Sequence, residues 1–184
     1  MKRGAVIAAG VLALAALGWR TARHRTSASD SAASSKLRVL EEILRSRNDN
    51  DPRLDREFTA LSAETKRLFR RAYGDIPTER RNDRGTIVYL LGRNLTAPED
   101  WSFLKKAALE PPCLSLADCS KAAASPDDEV TLAYPSLVAL KQAQRFLDEH
   151  PGSPEAIAVI AAAKASEVRA VVRLAEKLAP SAGQ

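Results

Sequence analysis

Short helical patterns separated by sharp breaks are the feature of this sequence that most constrains its fold. In the segment KLRVLEEILRS, the apolar residues Leu37, Leu40 and Leu44 recur at helical spacing. The polar run NDND then interrupts the pattern, and helix and break alternate from there to the end of the chain. Aromatic residues make up only 5% of the chain, which disfavours a strand-rich sandwich. The sequence therefore predicts an all-α domain.

Several residues indicate where helices begin. Asp51 precedes a proline, a combination that suits an N-cap followed by the first helical position. Ser62 is the N-cap expected for the next helix, and Thr96 with Glu99 matches the capping-box pattern. Ser153 should begin the last helix, which we expect to run unbroken to about residue 179.

The spacing of these helix starts suggests a repeat. Starts at Ser62, Thr96 and near Pro135 lie 34 and then about 39 residues apart, as in a short array of antiparallel helical hairpins. From about residue 51 to residue 178, the Asp51-Pro52 and Thr96–Asp100 helix starts and the apolar spacing resemble the HEAT-like helical-repeat family. That resemblance implies a curved scaffold, an α-solenoid, that binds another protein on one face without chemistry of its own.

Residues 1–25 read as a signal peptide or a membrane anchor. The basic start is followed by an uncharged, mostly apolar run over residues 4–19, which as a helix would rise about 24 Å. Cleavage after Gly18 would make it a secretory signal, whereas retention with Trp19 at the interface would make it a transmembrane anchor. Both predict an exported domain on the periplasmic or extracellular face. Arginines at positions 20, 23 and 25 resist translocation, so the opposite orientation stays open.

The remaining chain divides into a linker and a domain. Residues 26–35 are rich in serine and alanine and predict a flexible linker, and residues 36–184 predict the helical domain. Residues 110–133 form an insertion with three prolines and an acidic run, too long for an ordinary repeat turn. Long insertions are often binding loops, although this one could equally be a stabilised segment without a partner.

The two cysteines, Cys113 and Cys119, lie inside this insertion. A disulfide between them would suit an exported chain, and two free, partly buried thiols are the alternative. Histidines occur only at positions 24 and 150, so the four ligands of a zinc site are not at hand. The chain also lacks the C-x-x-C spacing of redox catalysis, and the sequence predicts no metal and no cofactor.

Positive charge is concentrated in residues 53–93, which hold ten basic and six acidic residues. Two like-charge pairs at i, i+4 (Lys66 with Arg70, Arg67 with Arg71) stand out, because each should cost a few tenths of a kcal/mol in an isolated helix. Such a run is either a solvated helix face or an interaction surface. The residues that we predict for that surface are Arg67, Arg70, Arg71, Arg80, Arg81 and Arg84.

These features favour a protein that binds rather than catalyses. The sequence has no glycine-rich phosphate loop, no H-E-x-x-H motif and no Cys/His or Ser/His constellation, so we expect no enzymatic activity. We expect a membrane-tethered or exported scaffold that mediates protein–protein interaction. The alternative is a cytoplasm-facing, membrane-anchored domain whose basic face binds anionic lipid or nucleic acid. Nucleic acid is disfavoured because most of the net charge of +5 lies before residue 36.

Overall fold

The computed structural model describes residues 29–111, 113, 118 and 129–179, and throughout these residues the chain is helical without strands. This confirms the predicted all-α class. The helices are α1 over residues 29–46, α2 Arg53–Arg56, α3 Ala63–Asp75, α4 Arg81–Gly92, α5 Pro98–Ala108, α6 Glu129–Leu132, α7 Tyr134–Glu149, α8 Pro154–Ala163 and α9 Arg169–Leu178.

The first helix begins earlier than the sequence predicts. α1 starts at residue 29 rather than at Lys36, so the flexible linker expected over residues 26–35 needs correction for its last seven residues. Serine and alanine tolerate helical geometry, Asp30 complements the dipole of the first turn, and Ala33 is buried. The helix ends where Arg47 adopts a positive φ of 53°. Residues 26–28 and the signal peptide or anchor expected over residues 1–25 lie outside the described residues.

The second helix is a single turn, although its apolar pattern continues to Leu61. A longer helix would bond the Leu61 N–H to the Glu57 carbonyl. Instead, the Leu61 N–H donates to Asn94 Oδ1 at 3.0 Å, and the Glu57 carbonyl accepts from Lys36 Nζ at 2.6 Å. Both competing groups come from distant parts of the chain, and a local pattern does not reveal them.

The structure confirms the helix cap predicted at Ser62 but not the capping box predicted at Thr96. Ser62 caps α3 as expected, with its hydroxyl accepting from the Thr65 N–H at 3.1 Å. The Thr96–Glu99 capping box is wrong. Asp100 takes that role, because its Oδ2 accepts from the N–H groups of residues 96 and 97, each at 3.0 Å. The Thr96 hydroxyl is committed elsewhere, as the acceptor of a hydrogen bond from Lys66 Nζ at 2.7 Å.

The last predicted helix is two helices. α8 ends at Ala163, and a turn at residues 164–168 follows, in which the Ser166 hydroxyl accepts from the Val168 N–H at 3.2 Å. An unbroken helix would carry the second half of the segment straight past the core. The turn instead lets α9 contact both α7 and α8, and it buries Val171 and Ala175.

The core is one cluster of apolar side chains, and α7 packs against α4, α5, α8 and α9. Two glycines let α4 approach α7 closely. A Cβ at Gly85 would lie 2.4 Å from the Tyr134 ring, and one at Gly92 would lie 2.4 Å from Gln142 Cγ. Because residue numbers increase together along this contact, α4 and α7 run in the same direction.

Candidate functional site

The six arginines that the sequence predicts as one interaction surface do not share one environment. Side chains of three of them are exposed, at positions 67, 71 and 80. A fourth, Arg70, is partly buried, and the remaining two, Arg81 and Arg84, are buried. The last two arginines therefore do not belong to an exposed surface, and the prediction is corrected for them.

Arg84 ties three parts of the chain together. Its Nη1 donates to the carbonyl oxygens of Tyr73 and Ile76, each at 2.8 Å, and its Nη2 pairs with the Glu110 carboxylate. The guanidinium also lies 3.9 Å from the centre of the Tyr73 ring. These contacts hold the end of α3 against the start of the predicted insertion.

Tyr73 completes this buried cluster. Its hydroxyl donates to Glu110, and both burial and the nearby carboxylate raise the pKa of Tyr73 above its usual range. The phenol therefore stays protonated at neutral pH. Because Arg84 and Tyr73 both satisfy the Glu110 carboxylate, the cluster fixes the chain at residue 110.

Arg81 acts one turn earlier on α4, at the same junction. Its Nη2 lies 2.8 Å from Cys113 Sγ, and Cys113 is buried. Cys119, the other half of the predicted disulfide, lies outside the described residues, and the pairing stays a prediction. Both buried arginines of α4 thus contact the first residues of the insertion.

Arg70 and Lys66 form the like-charge pair noted in the sequence, and Asp100 lies between them. Lys66 Nζ is 2.5 Å from Asp100 Oδ2, and Arg70 Nη1 is 2.8 Å from Oδ1. Burial alone would raise the pKa of Asp100, but the bonds from Lys66 and from two backbone N–H groups hold it below its usual value. The pair that repels in an isolated helix is therefore compensated by a residue on α5.

The exposed arginines have acidic neighbours within their own helices or turns. Arg67 forms a two-pronged contact with Glu64, at 2.8 and 2.6 Å, which holds the pKa of that carboxyl below its usual range. Arg71 lies 3.9 Å from its acidic neighbour, Asp75, whereas Arg80 lies 2.5 Å from Asp83. Local pairing of this kind reduces the positive field that the sequence count suggests.

A groove between α1 and α3 is the candidate site that two of these exposed arginines, Arg71 and Arg80, border. Its volume is about 460 Å³. We call it the α1/α3 groove. Its apolar lining comes from Leu37, Leu40, Leu44, Leu68, Ala72, Ile76 and Pro77, and its charged lining from Glu41, Arg45, Arg71, Asp75 and Arg80.

The groove was not predicted from the sequence, because helical spacing alone does not show whether an apolar stripe is fully covered. Leu37 packs against the core but stays half-buried, Leu68 is also half-buried, and Leu40 is fully buried. The stripes themselves were visible in the sequence. What it lacked was any sign that they would face each other across an open cleft.

A second cavity of about 700 Å³ lies on the other side of the loop at residues 75–77. Arg84, Tyr73 and Glu110 line it, and Lys106 and Leu109 border it. Arg84 and Tyr73 both hydrogen-bond to Glu110 in this cavity, and the cavity lies where the insertion begins. Its geometry supports anchoring of that segment.

Two further features of the described residues bear on the sequence predictions. No three histidine, cysteine, aspartate or glutamate side chains come together there in a way that could hold a metal ion. Among the same residues, no helix combines the length and the apolar character needed to cross a membrane.

Comparison with known proteins gives no relative for this chain: no family model, no curated protein and no solved structure matches it. The HEAT-like resemblance therefore stays a prediction.

Proposed function

We propose that this protein is a non-catalytic helical scaffold that binds another protein in the α1/α3 groove. The observation that carries the proposal is the combination of an open apolar cleft with a charged border. Apolar residues surrounded by charged ones are typical of protein-binding surfaces on soluble domains. Two of the six arginines predicted from the sequence, Arg71 and Arg80, line this cleft.

The proposed interface includes fewer arginines than the surface predicted from the sequence. Arg71 and Arg80 supply its electrostatic part, and Arg67 lies on the same helix as Arg71 but outside the groove. The buried Arg84 serves the interface indirectly, because it fixes the end of α3 that forms one wall.

The HEAT-like architecture and the exported location are part of the same proposal. Parallel packing of α4 and α7, inferred from their two glycine contacts, is what successive hairpins of a repeat array would give. The apolar run at residues 4–19 and the two cysteines support an exported or membrane-tethered chain.

A basic face for anionic lipid or nucleic acid is the competing hypothesis. The acidic neighbours of Arg67, Arg71 and Arg80 weigh against it, because such surfaces need cationic side chains that outnumber their anions.

Photo-crosslinking in cells tests the proposed function. A photoreactive residue replaces Glu41 on the groove border, and a matched one replaces Lys164, which is exposed outside the groove. We expect discrete protein adducts from position 41 that are absent from position 164. They should weaken when Arg71→Glu and Arg80→Glu are added. Adducts with lipid or nucleic acid alone would favour the competing hypothesis, and equal adducts at both positions would contradict the groove assignment.

A further inference from the structure

The sulfur of Cys113 lies against a cation in the interior of the domain. Arg81 Nη2 donates to Cys113 Sγ at 2.8 Å, and each of the two residues is only 6% exposed. Because the contact is shielded from water, a charge on one group acts on the other more strongly than it would at the surface. Neither residue lines the α1/α3 groove, so the following inference does not depend on the proposed function.

The other charged groups beside Cys113 form a pair of their own. A small cavity of about 20 Å³ lies at this sulfur, and the charged residues in its described lining are Arg81, Arg84 and Glu110. Arg84 Nη2 pairs with the Glu110 carboxylate, which also accepts from the Tyr73 hydroxyl. The rest of the described lining carries no charge. Once the Arg84–Glu110 pair is counted, the charge that faces the sulfur from this lining is the positive charge of Arg81.

A guanidinium at this distance favours the thiolate form of a cysteine over the thiol, and it offsets the opposite influence of burial. In thiol–disulfide exchange the departing sulfur leaves as a thiolate, so a group that stabilises the thiolate makes the disulfide easier to open. Permanent structural disulfides, by contrast, resist reduction by small thiols. From the contact with Arg81 we infer that Cys113 is the leaving sulfur of a redox switch, in which the disulfide predicted with Cys119 opens and closes reversibly.

Burial also decides which sulfur is attacked. Because Cys113 is 6% exposed, the thiolate of a small thiol such as glutathione attacks the sulfur of Cys119 instead. A bond forms between those two sulfurs, the Cys113–Cys119 bond breaks, and Cys113 leaves as a thiolate beside Arg81. A second small thiolate then attacks the small-thiol sulfur of the mixed disulfide and releases Cys119. Of the two protons that the small thiols release on ionising, Cys119 takes one and water takes the other. The protein disulfide gains two electrons, and two small thiols are oxidised to one disulfide.

Ultraviolet absorbance of the thiolate tests the role of Arg81 without any change at Arg81. The sample is the full 184-residue chain with Cys119→Ser, in which Cys113 is the one remaining cysteine. We expect the thiolate to form at a pH at least about one unit lower in the folded chain than in the same chain unfolded in urea. A midpoint that is equal or higher in the folded chain would overturn the inference.

Equilibration with reduced and oxidised glutathione tests the switch itself. The wild-type chain is held at a series of glutathione ratios, free thiols are alkylated, and mass spectrometry identifies the peptides that contain residues 113 and 119. We expect a reversible transition between a Cys113–Cys119 disulfide and two thiols. Arg81→Met should make the disulfide at least about tenfold harder to reduce, a shift of about 30 mV. Arg81→Lys keeps a cation and should recover part of that loss.

Arg80→Met is the matched control. It removes an arginine charge beside the start of α4, but the Arg80 side chain is 50% exposed and pairs with Asp83. It should leave the glutathione equilibrium unchanged, and circular dichroism melting verifies that each variant folds. Equal shifts in Arg80→Met and Arg81→Met would overturn the inference. So would a disulfide that no glutathione ratio reduces, cysteines that no ratio oxidises, or pairing of either cysteine with a second chain.

Discussion

The exposed arginines of α3 and the buried arginines of α4 look alike in the sequence and have different environments in the fold. On α3, Arg67 and Arg71 have exposed side chains, Arg71 to 76%, and pair with acidic residues three or four positions away. On α4, the Arg84 side chain is 8% exposed and contacts groups 8 to 26 positions away. A basic run is therefore not one functional unit. Exposed members are available to a partner, while buried members hold the domain together.

The hydrogen-bond and ion-pair partners of each arginine explain why Arg84 is buried and Arg71 is exposed. A guanidinium can enter the interior only where acceptors meet its donors, and Arg84 finds two backbone carbonyls and a carboxylate. Arg71 pairs with a carboxylate 3.9 Å away and its side chain is 76% exposed, so its charge stays in water. The same residue type should therefore give very different effects when it is removed from the two helices.

Removing Arg84 should cause the largest loss in the free energy of unfolding. Arg84→Met leaves the partly buried Glu110 without its cation and removes the donors of two carbonyls, which should lower the free energy of unfolding by about 3 kcal/mol. Urea denaturation measures this loss. Arg71→Met is the matched control. A loss at Arg84 no larger than at Arg71 would remove the distinction between the two helices. In Arg84→Met, adding Glu110→Gln should restore part of the stability, because it removes the uncompensated charge.

Asp100→Asn should cause an intermediate loss in the free energy of unfolding, and this loss should depend on pH. The change removes the charge that Lys66 and Arg70 share, and should lower the free energy of unfolding by about 2 kcal/mol at neutral pH. Because the folded-state pKa of Asp100 lies below its usual value, its stabilisation is complete above about pH 5. It is lost as the pH falls below about 4 and through the folded-state pKa.

Denaturation of wild type and Asp100→Asn at several pH values tests this dependence. The stability difference between the two proteins should narrow on acidification. A difference that stays constant from neutral to acidic pH would show that the Asp100 carboxylate contributes no charge-dependent stabilisation.

Arg67→Met should cause the smallest change in the free energy of unfolding. The Arg67 side chain is 60% exposed and its pair with Glu64 lies within one helix, so the free energy of unfolding should change by no more than about 0.5 kcal/mol. Raising the salt concentration should reduce even this change. Thermal melts at low and high salt measure it, and a loss comparable to that of Asp100→Asn would place Arg67 with the structural arginines.

Much of the secondary structure could be predicted from the sequence, because caps and apolar spacing are local. Ser62 caps α3, and the pattern near Pro135 gives α7, as expected. The predictions failed where a distant group competes with the local pattern. Asn94 and Lys36 end α2 early, and packing against α7 turns α9 back from α8.

The candidate site was predicted only in part, because residue type does not reveal burial. The sequence identified Arg71 and Arg80 as candidates, and both line the α1/α3 groove. It grouped them with Arg81 and Arg84, because all four follow each other closely in the chain. Nothing in that spacing indicates which arginine lies near a partly buried carboxylate such as Glu110.

By itself, the sequence determined the all-α class, the principal helices and the basic character of residues 53–93, since each follows from the properties of neighbouring residues. Tertiary structure decided which of those charges stay exposed and where an apolar cleft remains open. Those outcomes depend on contacts between residues far apart in the chain, such as Lys66 with Asp100 and Arg84 with Glu110. A buried charge is tolerated only where the fold brings such partners to it. The spacing of neighbouring residues in the sequence does not predict these long-range contacts.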